Sequence, residues 1–67
     1  MKYIKVEYLY NDQVMIVQDE LTDLYYVVFE SAQNYSFSPD YVSKPYKSLN
    51  GVKAAFKRYY ETLKAAY

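Results

Sequence analysis

The sequence predicts a small α+β domain: an antiparallel sheet of three or four strands with one C-terminal helix packed on one face. Three observations predict it. Residues 1–30 fall into short runs rich in β-branched and aromatic residues, separated by polar turn formers. Residues 48–67, SLNGVKAAFKRYYETLKAAY, are the only long stretch with a helical period. The chain has 67 residues, which suffices for one domain over 1–67 with a single small core.

The elements follow in order. YIKVEYLY, about 3–10, alternates, with Ile4, Val6, Tyr8 and Tyr10 on one face and Tyr3, Lys5, Glu7 and Leu9 on the other. That period of two is a strand. Asn11 and Asp12 are turn formers, and the short run 13–18, QVMIVQ, is a second strand hairpinned to the first. After a polar turn at 19–23, LYYVVFE, about 24–30, is apolar on both faces up to Glu30, as in a central strand covered on both sides. Tyr35 and Phe37 alternate with polar residues, so a short fourth strand is expected over 34–38. Pro39 and Pro45 each lack a donor, which makes the rest of 31–47 an extended connector.

The helix is expected over about 49–66, with Ser48 as its N-cap. Gly51 in its first turn weakens the start, by about 1 kcal/mol against alanine. Leu49, Val52, Phe56, Tyr59, Leu63 and Ala66 recur at three- and four-residue steps, forming one stripe for the sheet. Lys53, Lys57, Tyr60, Lys64 and Tyr67 form a second stripe at the edge where helix meets sheet. Ala54, Arg58, Glu61 and Ala65 face solvent. One helix covers one face only, so the second face of the central strand requires the connector or another chain.

Composition removes whole classes of chemistry. There is no cysteine and no histidine. Disulfides, the usual zinc sites, a Ser-His triad and a histidine general base are therefore all absent. One glycine cannot build a phosphate-cradling loop. Asp19, Glu20 and Asp23 share a turn, but a cation site needs more oxygen ligands, and a solvated turn is the simpler reading. No catalytic residue, metal site or cofactor is expected, and so short a chain has little room for a substrate pocket. No apolar run reaches the ~18 residues of a membrane span. The start MKYIKVEYLY lacks an apolar signal-peptide core, so a cytoplasmic protein is expected.

What the chain has instead is tyrosine and a charge split. Eleven tyrosines exceed what so small a core can hold. Surface tyrosine gives rigid contact area at low entropy cost. For Tyr3, Tyr8, Tyr25 and Tyr26 a half-buried sheet position is expected, and for Tyr60 and Tyr67 exposure. Net charge is zero, yet residues 1–40 carry two lysines against seven carboxylates, a net of −5. Residues 41–67 carry six cations against one carboxylate, a net of +5. Such a split steers partners or merely pairs sheet with helix.

Tyr46, Lys47 and Ser48, followed by Val52, resemble the helix start of the arm-binding domains of phage integrases. That resemblance implies a three-stranded sheet with a C-terminal helix that binds DNA through the sheet. Ser38, Tyr41, Ser43 and Lys44, with Asn50, Gly51 and Val52, resemble the repeat of YegP-like small proteins. Small size, abundant tyrosine and the lack of cysteine and histidine are similar to short phage-encoded inhibitors.

The expectation is a non-catalytic protein-interaction module, of the kind a phage or mobile element uses to regulate or inhibit a host protein. Its partner is a protein or a second copy of the chain, as a homodimer. The alternative is a small nucleic-acid-binding domain using the basic helix and interleaved tyrosines. For either, the candidate partner-binding residues are Lys53, Lys57, Tyr60, Lys64 and Tyr67, with Lys44 and Lys47 ahead of the helix.

Overall fold

The computed structural model describes residues 1–34 and 36–67. It has a four-stranded antiparallel sheet in the order β1-β2-β3-β4, and one C-terminal helix. The strands are β1 (Lys2–Leu9), β2 (Asp12–Gln18), β3 (Tyr25–Glu30) and β4 (Tyr41–Val42), and the helix is α1 (Leu49–Ala66). This is the α+β meander that the alternating runs and the helical period imply. No helix is long and apolar enough to cross a membrane among the described residues.

The fourth strand is a correction. It lies at Tyr41–Val42, pairing Val28 with Val42 and Phe29 with Tyr41, not at 34–38. Tyr35 lies outside the described residues. Ser36, Phe37 and Ser38 are bends, held by Asn34. Its Oδ1 accepts from the Ser36 N–H at 2.9 Å and its amide donates to the Ser38 carbonyl at 2.9 Å. Local side-chain bonds of this kind compete with a ladder for the same backbone groups. Beyond Tyr41 the chain keeps to the outer edge of β3. Ser43 and Tyr46 exchange backbone bonds with Val27 and Tyr25, and the Ser43 hydroxyl accepts the Val27 N–H at 2.8 Å. Pro45, with no donor, falls between the two contacts, so the edge is closed without it.

A bulge in β1 changes the faces. The register shifts between Tyr3 and Lys5. Ile4 therefore joins Lys5, Glu7 and Leu9 on the helix side, while Tyr3, Val6 and Tyr8 pair with Val17, Met15 and Gln13 on the other side. The strict alternation read from the sequence put Ile4 with Val6 and Tyr8. One extra residue, by the geometry of a bulge, reverses that.

Two clusters result. On the helix side Leu9, Val14, Ile16 and Val27 pack against Val52, Ala55 and Phe56. On the other side Met15, Val17 and Val28 are 4%, 2% and 7% exposed, with Tyr26 against them. β2 contributes to both and is the most buried strand.

The helix begins as its sequence implies. Ser48 is extended, and its hydroxyl accepts the Gly51 N–H at 3.0 Å. Val52 and Phe56 are buried, and Leu49, Tyr59 and Leu63 pack at the margin. Two residues widen the stripe. Ala55 is buried, because its small side chain lets the helix approach the sheet. Tyr60 is half-buried, stacked on Phe56 with ring centroids 5.9 Å apart. Ala66, expected in the stripe, is exposed.

Candidate functional site

The sequence-derived candidates divide between three places. Lys53, Lys57 and Tyr60 meet Lys5, Glu7 and Phe56 in a cleft of about 350 Å³ between the helix and β1. Position along β1, not charge pattern, brings Lys5 there; its Nζ stands 5.0 Å from the Phe56 ring centre and 3.9 Å from Glu7. Lys64 is exposed in the last helical turn on the same flank. Lys44 lies at the opposite edge of the sheet, beyond β3, with Nζ 5.6 Å from the Tyr46 ring centre. Lys47 is exposed just ahead of the helix. The basic half of the sequence is thus two separate flanks, not one patch. Tyr60, expected to be exposed, is half-buried because Phe56 sits one turn before it on the same side of the helix.

Tyr67 is exposed, as expected, yet engaged. Its ring stacks on Tyr10 with centroids 5.7 Å apart, and its hydroxyl donates to the Asp12 carboxylate. Asp12 Oδ1 also accepts the Ala32 N–H at 2.8 Å. The hydrogen bond from Ala32, then that from Tyr67, holds the Asp12 carboxyl below its ordinary value. The same bond to Asp12, with some burial, pushes the Tyr67 phenol up to about 12. Tyr59, stacked on Tyr41 at 4.5 Å, is also raised, mainly by burial.

The largest apolar feature lies elsewhere. The sheet face away from the helix is not covered by α1; among the described residues the connector borders it with Phe37 and Pro39, above the buried Met15, Val17 and Val28. Tyr3 and Tyr8, expected to be half-buried, are 64% and 59% exposed there; Val6 is exposed between them on β1, and Val42 at the opposite edge on β4. Phe37 is fully exposed. Phe37, Pro39 and Val42 form one wall of a groove of about 470 Å³, Met1 and Tyr3 the other, and Met15, Val17 and Val28 its floor. Sequence reading signalled this face only through the two-sided apolarity of 24–30. Tyr25 and Tyr26 are half-buried, as expected.

Among the described residues no three histidine, cysteine, aspartate or glutamate side chains gather as metal ligands. The Asp19–Asp23 turn is organised by its own bonds: Asp19 Oδ1 accepts the Leu21 N–H at 2.9 Å, and Asp23 takes φ 60.

Comparisons with protein-family models, with curated proteins and with solved structures find no match. The short resemblances to integrase arm-binding domains and YegP-like proteins have no counterpart there.

Proposed function

We propose that this chain is a non-catalytic protein-interaction module whose docking surface is the open face of the sheet. One observation carries the reading. A one-helix lid leaves Tyr3, Phe37 and Val42 exposed around a groove over Met15, Val17 and Val28, and Val6 and Tyr8 exposed along a shallower groove beside it. Contiguous exposed apolar surface of this kind is characteristic of interaction sites. Tyrosine serves such a surface well, with an apolar body for contact and a hydroxyl that tolerates water. The missing histidine and cysteine fit a binding role.

The test compares partner capture by the wild-type chain with capture by Val42→Lys and by Lys57→Glu. Loss with Val42→Lys and retention with Lys57→Glu supports the open face. The reverse pattern moves the site to the helix flank.

A second reading is nucleic-acid binding by that flank. Its specific support is the cleft that sets Lys5, Lys53 and Lys57 around the Phe56 and Tyr60 rings. It predicts oligonucleotide binding that weakens with salt, with a slope reduced by about 0.9 for each phosphate-contacting lysine removed among Lys53, Lys57 and Lys64. Absence of binding at low salt eliminates it.

A further inference from the structure

On the reading that the open face is a docking surface, we infer that its occupant is a basic amphipathic segment of another protein, an apolar stripe with a lysine or arginine near each end. The groove runs along the strands, and a carboxylate stands at each end. Asp19 borders it where β2 leaves the sheet, and Glu30 borders it at the far end of β3. Glu30 pairs with Gln13, six residues before Asp19 along β2. At about 3.3 Å per residue, the two carboxylates are about 20 Å apart. Three to four turns of helix span that distance.

Both carboxylates have capacity for a partner. Asp19 uses Oδ1 for its own turn, and Glu30 is exposed with no ion pair among the described residues. No lysine or arginine lines this groove or the shallower one beside it over Val6, Tyr8 and Gln13. Among the described residues the cation at the rim is the Met1 amine, 3.7 Å from Glu20. Tyr3 and Tyr26 line the groove, and their ring faces suit an ammonium or guanidinium group. The exposed apolar rim of Tyr3, Phe37 and Val42, above the floor, takes the apolar stripe, as grooves that receive amphipathic helices do.

A second copy of the chain is the poorer occupant. A two-fold contact through this face sets its acidic ends against each other or against apolar surface, and among the described residues lining the groove brings only the Met1 amine, which already faces Glu20. The lysines gathered in the helix cleft, Lys5, Lys53 and Lys57, lie on the other side of the sheet. Bringing them to a neighbour's groove requires a head-to-tail contact, which builds a ring or an open filament and not a two-fold dimer.

The experiment titrates the 15N-labelled chain with three synthetic peptides of about 15 residues, long enough to reach both carboxylates as helices. One has a leucine stripe with lysine near both ends. The second replaces those lysines with glutamate, and the third keeps the lysines but replaces the stripe with serine. The leucine-lysine peptide is expected to shift the amides of Met15, Val17, Val28 and Glu30. It is expected to bind at least about fivefold more tightly than the leucine-glutamate peptide, since each exposed ion pair contributes modestly. The double variant Asp19→Lys, Glu30→Lys reverses that preference. The milder pair Asp19→Asn, Glu30→Gln abolishes it, should the double lysine variant lose its native spectrum.

Equal binding of both leucine peptides, unmoved by these variants, overturns the basic occupant and leaves the docking face standing. Equal binding of the serine peptide overturns it as well, by reducing the effect to charge. Shifts of the same amides with chain concentration alone, without peptide, assign the face to a second copy and overturn the inference. If none of the peptides moves these amides, the docking face itself fails.

Discussion

Asp12 joins three parts of the chain that are distant in sequence. It opens β2, accepts from Ala32 after β3, and accepts from Tyr67 at the end of the helix. Tyr10, at φ 59, an unfavourable backbone region for a bulky residue, lies in the same cluster, its ring exposed on one side and stacked on Tyr67 on the other. The linkage between ionisation and folding follows from the two shifts. The lowered Asp12 carboxyl stabilises the fold above its ordinary value of 3.8 and loses that contribution as pH falls through its folded value. The raised Tyr67 phenol stabilises the fold below its ordinary value of 10.0 and loses that contribution as pH rises towards about 12. Tyr67→Phe is therefore expected to lower the melting temperature at neutral pH and to flatten the difference from wild type above pH ~11. Thermal melts of both proteins between neutral and strongly alkaline pH check this; a constant difference across that range removes the Asp12–Tyr67 bond from the account. Gly51 is the second residue-scale case. Alanine there gains about 1 kcal/mol of helix propensity, but its Cβ meets the capping Ser48 Oγ at 3.1 Å. Urea melts are expected to show Gly51→Ala stabilising by less than that full increment, and Ser48→Ala destabilising by about 1 kcal/mol. The Ser48 cap is legible in the sequence because donor and acceptor are three residues apart. The Asp12–Tyr67 bond is not, because 55 residues separate them and only the folded sheet brings them together.

The helix and β1 differ in how openly their sequences declare them. The stripe Leu49, Val52, Phe56, Tyr59 and Leu63 follows from helical geometry alone, and all five contact the core. Ala55 and Tyr60 flank that line, and whether they are buried depends on how closely the helix approaches the sheet. The sequence alone does not contain that distance. Phe56 is the centre of the contact, 5% exposed among Ile16, Lys5 and Tyr60. Phe56→Ala is expected to cost about 3–5 kcal/mol, comparable with the whole stability of a small domain. Circular dichroism and denaturant melts of that variant should report a largely unfolded chain at room temperature; a cooperative fold within ~1 kcal/mol of wild type would show that the helix is held mainly by other contacts. In β1 the alternating pattern identifies the strand correctly and its faces incorrectly before residue 5. A bulge leaves no compositional mark here, with no glycine or proline at Ile4.

At the scale of the whole molecule the two sides of the sheet divide the work. The helix side holds the main core, and the open side holds a smaller cluster under a rim of tyrosine. This division assigns different consequences to chemically similar residues. Tyr3→Thr and Tyr8→Thr, at exposed positions, are expected to change stability by less than ~0.5 kcal/mol while weakening partner binding. Tyr26→Thr, against Met15, Val17 and Val28, is expected to lower stability by clearly more. Denaturant melts beside binding measurements on the same three variants separate these effects, and a large loss of stability with Tyr3→Thr would make it a structural residue. The charge split is plain along the sequence, but where its charges fall in space depends on the fold. In space the cations fall on two flanks of the helix side, and the acidic groups Asp19 and Glu30 fall at the ends of the open groove.

The bulge at Tyr3–Lys5 has a consequence for how copies of this chain behave at high concentration. β1 ends the sheet, so its outer backbone groups are free to accept another strand. Eight residues of unbroken ladder beside an apolar tyrosine face would template fibrillar stacking. The extra residue kinks that edge and breaks its register, and Lys2 and Lys5 place charge along it. Deleting Ile4 restores strict alternation and a straight edge. The shortened chain is expected to form thioflavin-positive fibrils at concentrations where the parent stays dispersed, which would make a single irregular residue the element that keeps the sheet finite.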